Sequence, residues 1–327
     1  MKKRTLGREG LEVSAIGLGC MGMSQGYGTS DDAESIATLQ RALDLGVTFW
    51  DTAQSYGAGH NEQLLARAFK GRREQVQLAT KFGIVRGPDG VKIDGRPERV
   101  RAYCEASLER LGTDYIDLYY LHRVDPQVPI EETVGAMADL VAQGKVKHLA
   151  VSECNVEQLE RAASVHAIAA LQCEWSLWWR EPEDDVIQAA TRLGIGIVPY
   201  SPLGRGFLTS QAPPDAFGPG DFRAGDARFS GQARQRNLGV MHAVERLASQ
   251  LGATPAQLAL AWLLTQGNAV VPIPGTRHAH RLMENARATS VTLTPADRAS
   301  IEAVAGRAVW SGDRRSFAAQ HTQRRPV

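Results

Sequence analysis

Gly17-Leu18-Gly19-Cys20-Met21-Gly22 separates the two α/β architectures open to this chain, a doubly wound sheet and a closed barrel. Its glycines follow an apolar run, as they would in a dinucleotide-binding crossover. Yet no third glycine stands at the needed offset, and the chain runs on into Met, Ser and Gln rather than into a helix. A Rossmann domain is thereby disfavoured. Outward from this point, short β-capable runs alternate with apolar residues at helical spacing. Strands are expected at Ala15 to Leu18, Val47 to Trp50, Val76 to Thr80, Tyr115 to Leu121, Val146 to Val151, Ala169 to Cys173, Ile195 to Tyr200 and Ala269 to Ile273. Between them lie helical stripes such as Ile36, Leu39, Leu43 and Val100, Cys104, Leu108, Leu111. Eight alternations without a break in composition favour one domain over 1–327, a closed (β/α)8 TIM barrel.

Features beyond the repeat fit around it. Leu6-Gly7-Arg8-Glu9-Gly10-Leu11 separates two β-capable runs and reads as an N-terminal hairpin that caps something. From Ser201 to Asn237 the chain is rich in Gly, Pro, Asp and Arg, long for a connection inside a compact domain; about 207–237 is expected to be a cofactor or substrate loop. Extra helical patterns follow at Val240 to Leu251 and at Thr254-Pro255-Ala256-Gln257, a capping box with Pro at the first helical position. The tail over about 307–327, with Arg314, Arg315, Arg324 and Arg325, is expected to be partly disordered.

Composition narrows the partners. Lys and Arg number 37 against 36 Asp and Glu, so the net charge of +1 creates no field for nucleic acid or an anionic membrane, and a small molecule is the expected partner. Cys20, Cys104, Cys154 and Cys173 form no Cys-x-x-Cys pair, which argues against a metal site or a disulfide framework and suits a reducing cytoplasm. Polar residues follow Lys2-Lys3-Arg4 where a signal peptide needs an apolar core, and no run reaches the ~18 apolar residues of a membrane span.

Polar residues stand at consecutive expected strand ends: Asp51 with Tyr56 in its loop, then Lys81, then His122. On a barrel these strands are neighbours, so an acid, a phenol, an amine and an imidazole would converge at the C-terminal rim. Each alone reads more readily as a cap, a solvated charge or a core histidine; four at matching positions are harder to dismiss. A tyrosine of pKa ~10 is a poor acid at neutral pH, and lowering it by ~3 units takes about 4 kcal/mol. An ammonium at about 4 Å supplies roughly that at an effective dielectric near 20, and only about 1 kcal/mol in bulk water. Lys81 therefore tunes Tyr56 only in a partly dry site, with Asp51 keeping it charged. This set donates a proton and contains no hydride source.

Taken together, Asp51-Thr52-Ala53-Gln54-Ser55-Tyr56-Gly57, Thr80-Lys81, Leu121-His122, Gln172-Cys173-Glu174, Ser201-Pro202-Leu203-Gly204-Arg205-Gly206 and Ile273-Pro274-Gly275 with Glu284-Asn285 resemble the aldo-keto reductase superfamily. The resemblance runs from the hairpin to about residue 305. Leu121-His122-Arg123-Val124-Asp125-Pro126 and Ile130-Glu131-Glu132-Thr133 are similar to its microbial and plant branch of auxin-induced-like and channel β-subunit-like proteins. It implies reduction of aldehydes or ketones by an NADPH-dependent oxidoreductase, with Tyr56 as general acid, Lys81 and Asp51 as its tuning pair and His122 orienting the substrate. It further implies cofactor contacts from Gly22, Met23, Ser152, Gln172, Ser201, Leu203, Gly204, Gly206, Gly275, Thr276, Arg277, Arg281, Glu284 and Asn285, with Trp175 stacking on the nicotinamide. Arg277 and Arg281 would pair the 2′-phosphate, favouring NADPH over NADH. Trp175, Trp178, Trp179, Phe222 and Phe229 suggest an apolar wall suited to aromatic or bulky carbonyls. Two other readings stay open: a redox-sensing regulatory subunit that binds NADPH and turns over slowly, and a Schiff-base lyase with Lys81 as nucleophile.

Overall fold

The computed structural model describes residues 1–87, 90–211, 214 and 216–314. It opens with the expected antiparallel hairpin, β1 (Lys3–Leu6) and β2 (Leu11–Ser14). The barrel strands and their helices follow as β3 (Leu18–Gly19), α1 (Asp32–Asp44), β4 (Phe49–Asp51), α2 (His60–Ala68) and β5 (Gln77–Phe82). After a second hairpin, β6 (Ile84–Gly87) and β7 (Gly90–Ile93), come α3 (Pro97–Leu111), β8 (Ile116–Leu121), α4 (Ile130–Ala142), β9 (Val146–Ser152) and α5 (Val156–Val165). The chain continues through β10 (Ile168–Glu174), α6 (Val186–Leu193), β11 (Gly196–Tyr200), α7 (Gly231–Gln250), α8 (Pro255–Leu264), α9 (Ala279–Arg287) and α10 (Pro295–Ala305).

Strands β11, β10, β9, β8, β5, β4 and β3 hydrogen-bond in that order into one parallel sheet. The eighth position, expected as a strand over Ala269 to Ile273, is an extended segment instead. Isolated bridges Ile197↔Val270 and Gly19↔Gly275 close the ring through it. Pro272 and Pro274 lack the N–H groups that a continuous ladder needs. Only every other amide donates, as Val271 N does to Ile197 O at 2.8 Å.

The pleat sorts side chains into two layers, because successive residues of a strand point to opposite faces. Phe49, Ala79, Leu118, Tyr120, Ala150, Ala170 and Val198 fill the barrel interior, joined by Leu6, Leu11 and Val13 of the hairpin. Their odd-step neighbours Trp50, Leu78, Tyr119, Leu149, Leu171 and Ile197 pack outward against the helices. Asp51, Lys81 and His122 each stand two residues beyond an interior residue, Phe49, Ala79 and Tyr120. They therefore share the interior face, one level higher.

The hairpin caps the N-terminal end of the barrel. A Cβ on Gly7 would lie 2.6 Å from Ala169 Cα, and one on Gly196 would lie 2.4 Å from Leu6 Cδ2, so backbone contact there depends on glycine.

Strands β3 and β4 begin two to three residues later than expected, and two further boundaries differ. The connection after β11 ends at Gly231, not Asn237, since α7 starts there with only Asn237, Met241, Val244 and Ala248 buried, and its first turns carry no apolar stripe. Of the C-terminal tail, residues 315–327 lie outside the described residues, but Arg314 is folded into the barrel rim at 4% exposure.

Candidate active site

Lys81 is the hinge of the site. Its Nζ donates to Asp51 Oδ1, to Thr52 O at 2.7 Å and to Tyr56 OH at 3.5 Å; Lys81, Asp51 and Thr52 are buried, and Tyr56 is half-buried at the cleft. Strand pairing makes this possible, because β4 pairs with β5 and the loop after β4 carries Tyr56 back over the end of β5. On the far side, Gln172 Nε2 donates to Asp51 Oδ2 at 2.8 Å, so both carboxylate oxygens are held. His122 stands edge-on to Tyr56 with ring centroids 5.8 Å apart. The structure thus brings together the four residues singled out from strand ends.

Their electrostatics follow from dryness. Burial works against the Lys81 charge, but the adjacent Asp51 carboxylate and Tyr56 outweigh it and hold the ammonium above its ordinary pKa. Burial pushes the Tyr56 phenol up, and although Lys81 and Arg123 pull it down, Asp51 cancels part of their effect. The phenol therefore rests protonated. Burial together with Arg123, Lys81 and Arg86 holds His122 well below its usual value, so the imidazole is neutral. Its buried Nδ1 has no hydrogen-bond partner among the described residues. The set offers a neutral imidazole, a protonated phenol and a fixed ammonium around one point.

These groups sit at the base of a cleft of roughly 770 Å³ at the C-terminal rim. Asp51, Tyr56 and His122 line it, as do Gly22, Gln172, Ser201, Leu203, Gly206, Gly275, Thr276, Arg277, Arg281, Glu284 and Asn285 from the expected cofactor set. The Ser201-to-Gly206 loop has the backbone freedom a close ligand requires: Gly206 has φ +92°, and even Ser201 and Arg205 are left-handed at +48° and +56°. Arg277 and Arg281 make hydrogen bonds only to neutral oxygens, among them Tyr27 O and Gln211 Oε1, and neither forms an ion pair among the described residues. A phosphate fits that end of the cleft.

Four expected cofactor residues lie elsewhere. Trp175 continues the outward parity of Leu171 and Cys173; its ring meets Trp262 of α8 edge-on at 6.0 Å and its Nε1 donates to Glu183. Tyr200 at the end of β11 lines the cleft instead. Gly204 faces Trp178, whose Cε3 would lie 2.5 Å from a Cβ there. Met23 is buried behind the rim, and Ser152 is enclosed, its Oγ accepting from Arg123 Nη1 at 3.2 Å. The apolar wall is corrected likewise: Trp178 and Phe229 pack with Phe207 in the core, and of the five aromatics only Phe222 lines the cleft.

Sequence reading also missed a buried charge cluster behind the cleft. Glu174 Oε2 meets Arg205 Nη2 at 3.0 Å and Arg314 Nε at 3.3 Å, while its Oε1 meets Arg228 Nη1 at 2.9 Å. Glu153 pairs with Arg314, and Asp226 pairs with Arg205 and Arg228. Although burial opposes its charge, the three guanidinium groups hold the Glu174 carboxyl far below the usual carboxylate range. The cluster ties the ends of β9 and β10 to the cleft loop and to the C-terminal segment. Only spatial proximity reveals it, since its members are spread from residue 153 to residue 314.

Among the described residues no group of three or more His, Cys, Asp or Glu could hold a metal ion, and no helix is long and apolar enough to cross a membrane. Comparison with known proteins agrees with the geometry. The profile of the Aldo/keto reductase family matches residues 15–305. Probable aldo-keto reductase 1 from Glycine max is 46% identical over 303 residues, covering 91% of this chain and 88% of that protein. Among solved structures, the glycerol dehydrogenase AKR11B4 from Gluconobacter oxydans superposes with a TM-score of 0.85 at 28% identity, over 99% of this chain and 97% of its own. The holo form of aldo-keto reductase AKR11C1 from Bacillus halodurans gives 0.79 at 28% identity, over 93% and 96%. With a barrel, a rim-borne Tyr–Lys–Asp–His set and a profile match over most of its length, this chain belongs to the aldo/keto reductase family.

Proposed function

We propose that the protein is an NADPH-dependent oxidoreductase that reduces aldehydes or ketones to alcohols, with Tyr56 as proton donor. The observation that carries this reading is the Lys81 ammonium, fixed by Asp51 and Thr52 O and donating to the Tyr56 hydroxyl. A carbonyl oxygen set between Tyr56 and His122 would receive the phenol proton, and the ammonium would stabilise the phenolate left behind. His122 enters as a neutral hydrogen-bonding group, consistent with the direction of its pKa.

When bound, a nicotinamide cofactor supplies the hydride that this side-chain set lacks. Arg277 and Arg281, with Gly275, Thr276, Glu284 and Asn285, would hold its adenosine and 2′-phosphate. The loop from Ser201 to Gly206 would approach its pyrophosphate, and Gln172 and Tyr200 would meet the ring. Support comes from the two unpaired guanidiniums and the left-handed loop backbone. A cytoplasmic setting belongs to the same reading, supported by four cysteines that form no disulfide.

A lysine nucleophile must be neutral and reachable. Lys81 is fully enclosed and held as an ammonium, which counts against Schiff-base chemistry. The test mixes protein, NADPH and a panel of aldehydes while following absorbance of the reduced nicotinamide. Turnover is expected, falling by roughly 10²–10⁴ in Tyr56→Phe with NADP⁺ binding retained. Absence of turnover across aliphatic, aromatic and acidic aldehydes would overturn the assignment.

A further inference from the structure

Arg123 carries an obligation that the proposed chemistry does not discharge. It follows His122 directly, is 6% exposed and lines the cleft. Its Nη1 donates to His122 O at 2.6 Å and to Ser152 Oγ at 3.2 Å. Those two acceptors are neutral. Its Nε and Nη2 make no hydrogen bond, and the residue forms no ion pair, among the described residues. Every other arginine with comparable burial behaves differently: Arg205, Arg228 and Arg314 each sit against one or more carboxylates.

A buried charge without a counter-ion is costly, so a guanidinium held this way suits a site that receives its anion from a ligand. The position narrows which ligand. Arg123 is close enough to His122, Tyr56 and Tyr200 to bear on the ionisation of all three, which places it at the reaction end of the cleft. Arg277 and Arg281, by contrast, stand on the segment after Ile273 and on α9. Of the five aromatics expected as an apolar wall only Phe222 lines the cleft, and the other rings there, Tyr27, Tyr56 and Tyr200, carry hydroxyls.

Resting on the reductase reading above, we propose that the cleft selects carbonyl substrates that carry a carboxylate, oxo acids or semialdehydes and their aromatic counterparts, and that Arg123 is the residue that binds this carboxylate. The fork geometry of a guanidinium, with one nitrogen pinned by the protein, leaves a second nitrogen and Nε to receive two carboxylate oxygens. Lysine at this position would keep the charge but lose the fork.

The test compares 4-carboxybenzaldehyde with methyl 4-formylbenzoate, its neutral ester, in the native protein, Arg123→Gln and Arg123→Lys. The native protein should favour the acid in kcat/KM by roughly tenfold or more, the size expected of a charge-assisted hydrogen-bonded pair. In Arg123→Gln that ratio should collapse toward one, chiefly through KM for the acid, and Arg123→Lys should fall between. An ester reduced as well as the acid by the native protein, or a preference that survives in Arg123→Gln, overturns the proposal. So does a loss in Arg123→Gln that falls on NADP⁺ affinity and leaves the acid-to-ester ratio intact.

Calorimetric titration of the cofactor-free protein with benzoate and with benzamide separates this proposal from the reductase reading. Benzoate binding that weakens in Arg123→Gln, with benzamide weak throughout, supports the carboxylate site even if neither aldehyde is turned over. Benzoate affinity indifferent to Arg123 overturns it. Thermal melts of both variants establish that each is folded.

Discussion

Replacing Glu174 with glutamine removes one charge from the cluster behind the cleft and almost no volume. Three carboxylates, Glu153, Glu174 and Asp226, there face three guanidiniums, Arg205, Arg228 and Arg314, all nearly inaccessible. Neutralising Glu174 leaves a buried positive charge uncompensated, at 2.9 to 3.3 Å from the vacated carboxylate position. Breaking a buried ion pair by removing one partner costs about 3–5 kcal/mol. For a chain of this size that corresponds to a fall in Tm of about 4–7 °C. Urea unfolding at pH 7 should show a lower midpoint at nearly constant slope.

The pH dependence carries a sign. The folded-state pKa of Glu174 is depressed, so its contribution is present above the ordinary glutamate value of about 4.3 and is lost as pH falls through the folded value. The gap between native protein and Glu174→Gln should therefore narrow as pH drops from about 5 toward 3. Because Arg205 belongs to the cleft loop, NADP⁺ affinity should weaken as well. A glutamine variant within about 1 kcal/mol of the native protein at pH 7 would refute the reasoning and reduce the cluster to charges that solvent already satisfies.

Further outcomes follow from the same geometry. Arg277→Ala with Arg281→Ala should raise KM for NADPH far more than for NADH, by about tenfold per lost charged contact, in paired cofactor titrations. Since His122 is held neutral well below its usual pKa, kcat/KM should show no inflection between about pH 6 and 7; an acidic limb centred near 6.5 would contradict the burial argument. Gly204→Ala should destabilise by about 1–3 kcal/mol, since φ there is +56° and the new methyl would meet the Trp178 ring at 2.5 Å. Differential scanning calorimetry of the alanine variant measures it.

Asp51, Lys81 and His122 were legible in the sequence because each ends an apolar run, and the barrel converts strand ends into one rim. Tyr56 was legible as a companion of Asp51 in a short loop. The family resemblance implies nicotinamide stacking for Trp175, yet Trp175 shares the parity of Leu171 and Cys173, which pack outward against the helices. The same rule would have found Tyr200, two residues after interior Val198. The β6–β7 hairpin interrupts the alternation, and its sequence signal is local: Pro88-Asp89-Gly90 stands between two β-branched runs. Arg314 had no local signal at all. Its burial is decided by Glu153 and Glu174, about 160 and 140 positions earlier in the chain.

The hairpin that closes the barrel floor has a consequence for the order in which the molecule assembles. Arg4 donates to the carbonyls of Leu264, Gly267 and Val270, and Gly7 rests on Ala169. During synthesis the hairpin emerges with Leu6, Leu11 and Val13 exposed; Phe49 and Ala79 follow soon after, but the partners of Gly7 and Arg4 come more than 150 residues later. The hairpin's docking is therefore completed only when nearly the whole chain has been made. Such contacts of high sequence separation are slow to form, which makes the hairpin the latch that closes a nearly completed ring rather than the seed on which the ring grows.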